Sequence, residues 1–345
     1  MPKSGARLKD VAELTGFSVN TVSLALRDSP RIPDETRDRI KSAAEQLNYL
    51  PNQVAKSLVS RETRAIGLIL TDMQNPILTN VAQSVERKLA ARGYTTLFAT
   101  SNNNQEEEVR MIDTFRARRA DGMLIFPFRH GDLDHIRRLR NHNYPVVLLV
   151  GEQGAGIDAV SMDERAGASK ATGHLLATGH RRIALIDGGS SLGNPEKMDG
   201  YRAAHRAAGV AVCDELLINP TGHSVETGYW AMDLLVKSGH DFTAVFATND
   251  SLALGIIRYC KKHAIRVPED LSVVGFDNTE FGAFAETALT TVSYDVERIT
   301  SLAVDRVLDL IAHKTGLPDP RIIQLEPDLL VRESSARAAS AKELP

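Results

Sequence analysis

The 345-residue sequence predicts a small all-α head followed by an α/β body of two doubly wound parallel-sheet lobes. Three observations predict it. The first fifty residues carry three short stretches of helical period separated by turn residues. From Ala65 onward, short apolar runs alternate with amphipathic stretches, the pattern of strands linked by helices. That alternation restarts after Val160, which calls for two lobes rather than one.

In the head, Leu8, Val11, Ala12 and Thr15 stand at i, i+3, i+4 and i+7, the apolar stripe of a short helix. Gly16 ends it, because glycine accepts the left-handed backbone of a tight turn. Ser18 is a natural N-cap for a second helix. Val22 and Leu26 are expected to point inward there, leaving Val19, Asn20, Thr21, Ser23 and Leu24 to solvent or a partner. A third helix over 34–47 closes the small core with Ile40, Ala43, Ala44 and Leu47, with Pro33 in its first turn. Two helices joined by a short turn and braced by a third form a helix-turn-helix, whose second helix enters the DNA major groove. Asn20 can meet an adenine edge with two hydrogen bonds, and Ser18, Thr21 and Ser23 suit phosphates. From these residues alone, a three-helix cap with a polar surface is the alternative.

In the body, strands are expected at 65–70, 95–99, 122–126 and 145–150, separated by helices near 79–92, 105–118 and 132–140. The second round places helices over 165–178, 196–208, 225–237 and 251–263, and strands over 183–187, 244–247 and 271–275. Regular βα alternation gives parallel sheets covered by helices. Right-handed crossovers then bring ligand sites to the carboxyl ends of the strands. Polar residues stand just past several of those ends: Thr71 and Asp72 after the first, Asn249 after 244–247 and Asp277 after 271–275. Carboxylates and amides there suit vicinal hydroxyls, since they accept or donate in paired geometry. Asp277 and Asn249 could instead simply cap loops.

Composition narrows the classes. Residues 1–64 hold eleven Lys/Arg against eight Asp/Glu, about +3, while the whole chain is −3, which leaves the remainder near −6. A mildly basic head on an acidic body suits a chain that touches phosphate with one end. No apolar run has membrane-spanning length, and the N-terminus lacks a signal-peptide core, so a cytoplasmic protein without a membrane partner is expected. Cys213 and Cys260 have no metal-ligand or redox spacing and are expected to be reduced and buried. The scattered histidines show no HExxH pattern, so no metal is expected, and no cofactor either.

The run Leu8-Lys9-Asp10-Val11-Ala12-Glu13-Leu14, then Gly16, Ser18, Thr21-Val22-Ser23, Thr36-Arg37, Asn48-Tyr49 and Pro51-Asn52, resembles the head of the lactose/galactose repressor family of bacterial transcription factors. The resemblance extends over the body to about Ala338, through Thr178-Gly179-His180-Arg181-Arg182-Ile183-Ala184, Gly200-Tyr201-Arg202-Ala203-Ala204, Thr248-Asn249-Asp250, Val274-Gly275-Phe276-Asp277-Asn278 and Leu289-Thr290-Thr291-Val292. It implies a periplasmic-binding-protein-like effector domain that dimerises. It also implies a hinge helix after the third head helix, with Leu58 wedged between bases in the minor groove. Arg27, Arg31, Tyr49 and Asn52 join the candidate DNA contacts on this basis. In the cleft the resemblance strengthens Asn249 and Asp277 and adds Lys197, Phe126 and His223, with Thr71, Asp72 and Asn75 beside them.

Four positions depart from the family pattern. Leu24 stands where an arginine or histidine often reads a base edge, and leucine can only pack on a thymine methyl. Pro33 stands where a capping serine is common. Lys197 replaces a common arginine and loses its planar fork. Val150 ends a strand that often closes on an acidic residue.

The implied domains are a head over 1–50, a hinge helix and linker over 51–64, a ligand-binding and dimerisation body over 65–338, and a tail over 339–345. Lobe 1 is expected at about 65–160 and 292–324, lobe 2 at about 161–291 and 325–338. Expected partners are double-stranded operator DNA, a small-molecule effector (a sugar or related metabolite) and a second copy of the chain, with Val81, Val85 and Leu89 as members of that association or of ordinary core. Two rival classes remain at this point. Gly188-Gly189-Ser190-Ser191-Leu192-Gly193 follows a strand as a nucleotide loop would, but lacks GxGxxG spacing, and no GxxxxGK[ST] occurs. A transport solute-binding protein would suit the body but not the head.

Overall fold

The computed structural model describes residues 6–50, 62–150, 156–189, 195–313 and 315–338. It divides into two units, Met1–Thr63 and Arg64–Pro345.

In the first unit, α1 (Leu8–Thr15) ends where Gly16 takes φ +74° and its N–H returns to the Ala12 carbonyl. Helix α2 (Val19–Ala25) starts at Ser18, whose Oγ accepts the Thr21 N–H at 3.1 Å. Helix α3 (Asp34–Gln46) follows Pro33 and carries Asp34 and Glu35 in its first turn, where the helix dipole favours them. Val11, Val22, Ala25 and Ile40 are fully buried between the three helices. The inward pair of α2 is therefore Val22 with Ala25. Leu26 lies at the C-cap and is only half-buried, because the helix stops one residue short of it.

The body holds two six-stranded sheets. The first contains β1 (Ala65–Leu70), β2 (Thr95–Thr100), β3 (Gly122–Ile125), β4 (Val146–Leu148), β5 (Asp158–Met162) and, last in the chain, Ile322–Leu325. All its pairings are parallel, and their order is Ile322–Leu325, β5, β4, β3, β1, β2. Helices α4 (Pro76–Ala90), α5 (Gln105–Ala117) and α6 (Asp134–Asn141) connect its strands. Helix α4 begins three residues earlier than periodicity suggests. Asn75 caps it through Oδ1, which accepts the Ile77 N–H at 3.1 Å, and Pro76 fits the first turn.

The second sheet contains β6 (Ile183–Ile186), β7 (Leu217–Ile218), β8 (Ala244–Ala247), β9 (Ser272–Asp277), β10 (Thr290–Ser293) and, last, Asp328–Leu330. Its order is Asp328–Leu330, β10, β9, β8, β6, β7, parallel except where Asp328–Leu330 runs against β10. Helices α7 (Glu164–Ala177), α8 (Glu196–Ala207), α9 (Val225–Lys237), α10 (Asp250–Lys262) and the short α11 (Glu280–Ala283) accompany it. The chain passes from the first sheet to the second after Met162 and returns after Ser293 through α12 (Val296–Ala312). It leaves again between β11 (Ile322–Leu325) and β12 (Asp328–Leu330).

One buried cluster draws on both lobes, with Leu68, Leu124 and Val304 from the first and Leu185, Phe246 and Phe276 from the second. Each lobe also has a separate outer cluster. Full burial of one such side chain contributes about 1.5–3 kcal/mol. Val81, Val85 and Leu89 belong to the shared cluster and are no more than 2% exposed, so they are core and not an association surface. At the entrance to β5, buried Asp158 accepts from Arg140 Nε at 3.0 Å, Arg306 Nε at 2.7 Å and the Arg321 N–H at 3.0 Å. Cys260 is buried as expected. Cys213 is only half-buried, because it lies in the loop before the short turn Asp214–Leu216.

Candidate functional site

On the head, the outward side of α2 gathers most of the candidate DNA contacts. Ser18, Val19, Asn20, Arg27 and Arg31 are exposed, while Thr21, Ser23 and Leu24 are half-buried. Asn20 is exposed, makes no side-chain hydrogen bond among the described residues and stands outside the head core, so its amide is available. The Ser18 hydroxyl is already engaged, 2.8 Å from Thr21 Oγ1 as well as capping α2. The other head cations differ from one another: Arg37 pairs with Asp34 and Lys41 with Asp28, whereas Arg27 and Arg31 form no ion pair among the described residues. Tyr49 packs half-buried against the core. Asn52, Leu58 and the hinge segment lie outside the described residues.

In the body, Thr71, Asp72, Asn75, Phe126, Lys197, His223, Asn249 and Asp277 line one cavity of about 100 Å³. It opens where strand carboxyl ends meet, as the βα topology requires. Its two sides differ. Lobe 1 supplies Ile77, Leu78, Val81, Phe126 and Phe128, with Thr71, Asp72, Asn75 and Asn103 at their edge. Lobe 2 supplies Glu164, Asp187, Lys197, His223, Asn249 and Asp277.

The polar side is built by helix starts and strand ends. Asn249 caps α10, with Oδ1 accepting the Leu252 N–H at 2.7 Å, while Nδ2 donates to the His223 carbonyl at 3.2 Å. Capping and cavity lining therefore coincide in one residue. Asp277, the last residue of β9, takes φ +115°, a conformation that a side chain other than glycine adopts only under constraint. Behind it, Asp250 holds the next turn, accepting the Thr279 N–H at 2.6 Å and the Thr291 hydroxyl at 2.6 Å. Burial raises the Asp277 carboxyl well above its ordinary range, against the pull of Lys197 and reinforced by Asp250 and Glu164.

Lys197 is turned inward. Its Nζ donates to the Thr248 carbonyl at 2.9 Å, lies 3.8 Å from Glu164 and sits 4.1 Å from the centre of the Phe276 ring. Burial works against its charge, but Glu164, Asp277, Asp187 and Glu196 together outweigh it and hold the ammonium above its usual range. Burial first, then Lys197, lowers His223, so its ring is neutral near pH 7.

The reading from sequence missed Glu164, Asp187, His130, Asn103 and Tyr294. Asp187 carried a signal, being an acid at a strand end like Asp72 and Asp277. Tyr294 follows β10 at a lobe crossing and had none. Gly188 has a packing cause: a Cβ there would lie 2.4 Å from the Gly222 carbonyl oxygen and 2.8 Å from His223 Nδ1. Among the described residues, no group of three or more His, Cys, Asp or Glu could hold a metal ion, and no helix is long and apolar enough to cross a membrane.

Comparison with known proteins follows the same division. Residues 7–52 match bacterial regulatory proteins of the lacI family, and residues 172–335 match the periplasmic binding protein-like domain. The HTH-type transcriptional repressor PurR of Serratia proteamaculans is 31% identical over 96% of the chain and 97% of its own length. The structure of the transcriptional regulator CelR in complex with cellobiose is 29% identical with a TM-score of 0.71, covering 96% of this chain and all of that one. The lac repressor dimer bound to operator and an anti-inducer, at 24% identity and a TM-score of 0.86 with the same coverage, shares the fold.

Proposed function

From the premise that this chain belongs to the lacI family of bacterial regulatory proteins, and is a transcriptional regulator rather than an enzyme, we propose that it is a repressor working in the cytoplasm. It binds a pseudo-palindromic operator as a homodimer, and a sugar-like effector in the cleft between its lobes controls that binding. The carrying observation is the two-sided cleft, with apolar and aromatic groups on one side and carboxylates, an amide and a buried lysine on the other. A polyol matches it, since C–H faces pack on rings while hydroxyls meet paired acceptors and donors. The cellobiose bound by CelR belongs to the same ligand class.

Two copies are needed because one helix-turn-helix reads one half-site, and a two-fold protein matches a two-fold site. Large apolar side chains left on the body suit the contact: Met73 and Phe98 on lobe 1, and Phe281 and Phe284 on lobe 2. On the DNA, α2 lies in the major groove with Asn20 on a base edge, and Arg27 and Arg31 meet phosphates.

The position of the cleft between two lobes suggests how the sites are linked. A sugar bound there favours whichever lobe arrangement it fits better. The shift passes through residues 51–64 to the heads and changes operator affinity. Selection of random duplexes by the full-length protein tests the reading. Enrichment of a symmetric site supports it; enrichment of none refutes it.

A further inference from the structure

Lobe 1 has a second cavity of about 410 Å³ between α5 and α6, and none of its lining residues is shared with the cleft. Its floor is apolar, from Val109, Ile112 and Leu139. Its polar lining holds the guanidinium groups of Arg116 and Arg138, the rings of His135 and His142 and the Tyr144 hydroxyl, against the single carboxylate of Asp113. Arg116 reaches Asp113 at 3.4 Å, whereas Arg138 has no ion pair among the described residues. The surrounding segment 116–142 carries seven arginines and three aspartates, on a chain whose net charge is −3. An apolar floor under two guanidinium forks, that of Arg138 outside any ion pair among the described residues, suits an organic anion, with its body on the floor and its phosphate or carboxylate between the arginines.

The cavity is wired to the cleft by one side chain. Glu108 on α5 is buried, with Oε1 2.5 Å from Nε2 of His135 and Oε2 accepting the Phe128 N–H at 2.8 Å. His135 lines the second cavity and Phe128 lines the cleft. A buried carboxylate shared in this way cannot move towards one partner without loosening the other, since an unpaired buried charge is costly.

We infer that the α5–α6 cavity is a second ligand site for a small organic anion, and that its occupancy reaches the effector cleft through His135, Glu108 and the Phe128 amide. The anion holds the His135 ring against Glu108 and so fixes the carboxylate that anchors the loop carrying Phe128. The cavity itself shares no lining residue with the head or the cleft, so the site stands apart from the operator-binding proposal; only its link, through the Phe128 amide, reaches the cleft.

Hydrogen-exchange mass spectrometry on the full-length protein tests it, with phenyl phosphate, inorganic phosphate and succinate as probes and chloride at matched ionic strength as control. Phenyl phosphate should slow exchange saturably, by about threefold or more, in peptides covering 109–119 and 135–144 and also in 126–131. A response to succinate as well would assign the carboxylate class to the site, and a response to the phosphates alone the phosphate class. In the double variant Arg116→Gln, Arg138→Gln, whose side chains are exposed, all of this protection should vanish while Tm stays close to that of the unaltered protein. Glu108→Gln should keep the effect at 109–119 and lose it at 126–131. No protection with any probe, or the same protection in the arginine double variant, overturns the site. Protection confined to the outer peptides in the unaltered protein overturns the link to the cleft.

Discussion

Replacing Asn249 separates a helix cap from a ligand contact, because the structure gives its two side-chain atoms different tasks. Oδ1 caps α10 through the Leu252 N–H, and Nδ2 holds the His223 carbonyl. Asn249→Ala removes both. Loss of the cap costs about 0.5–2 kcal/mol, and loss of the second bond costs about 0.5–1.5 kcal/mol. The expected total is about 1–3.5 kcal/mol, which lowers Tm by about 2–7 °C for a body of this size. Asn249→Ser retains a good cap but has no amide to offer the loop at His223 or a bound hydroxyl. It should recover most of the lost Tm while still weakening the effector. One missing hydrogen bond, with a ligand hydroxyl left unpaired, weakens binding by about tenfold. Thermal unfolding measures the first quantity, and calorimetric titration with a sugar found by thermal-shift screening measures the second. Unchanged effector affinity in Asn249→Ser would reduce Asn249 to a cap and refute its role in the cleft.

Three further outcomes follow from named groups. Asn20→Ala should leave Tm unchanged and weaken specific operator binding by about tenfold or more, read by fluorescence anisotropy, since one bidentate base contact is lost. Asp158→Ala should destabilise the body by about 3–5 kcal/mol in urea unfolding, because Arg140 and Arg306 would stay buried without their carboxylate. Burial holds His180 below its ordinary value of 6.5, with Nε2 donating to the Ala336 carbonyl and Nδ1 accepting from the Thr243 hydroxyl. The unfolded chain takes up that proton as pH falls through about 6.5 while the folded chain resists. The stability that His180 contributes is therefore present above that pH and is lost as pH falls towards the folded-state value. His180→Gln should flatten the fall in Tm between about pH 7.5 and 5.5, and an unaltered slope would contradict this assignment.

The alternation of apolar runs made the two lobes legible before any coordinate, because a buried parallel strand must be continuously apolar. Strand-end position then led to the cleft: Thr71, Asp72, Asn249 and Asp277 needed only βα topology, whereas Lys197, His223 and Phe126 needed the family resemblance. Partnerships across long sequence gaps were not legible. Glu108 and His135 are 27 residues apart, and Ser84 meets Glu297 213 residues away. Nothing in local period announces either pair. Strand β7 is two residues long, too short for any alternation to register, and β12 pairs antiparallel at an edge where pattern says nothing about direction. In the head, the helix period placed α2 correctly but not its last turn. Ala25 fills the core because it falls three residues after Val22, and the helix closes before Leu26 can do so.

The most direct measurement is operator affinity of the full-length protein with and without a sugar shown to bind the cleft, set beside the same pair of titrations on Asp277→Ala. Coupling between cleft and heads requires a change of about fivefold or more in the unaltered protein and none in the variant, which should still hold the operator. A sugar that binds the cleft tightly yet leaves operator affinity the same would contradict the account.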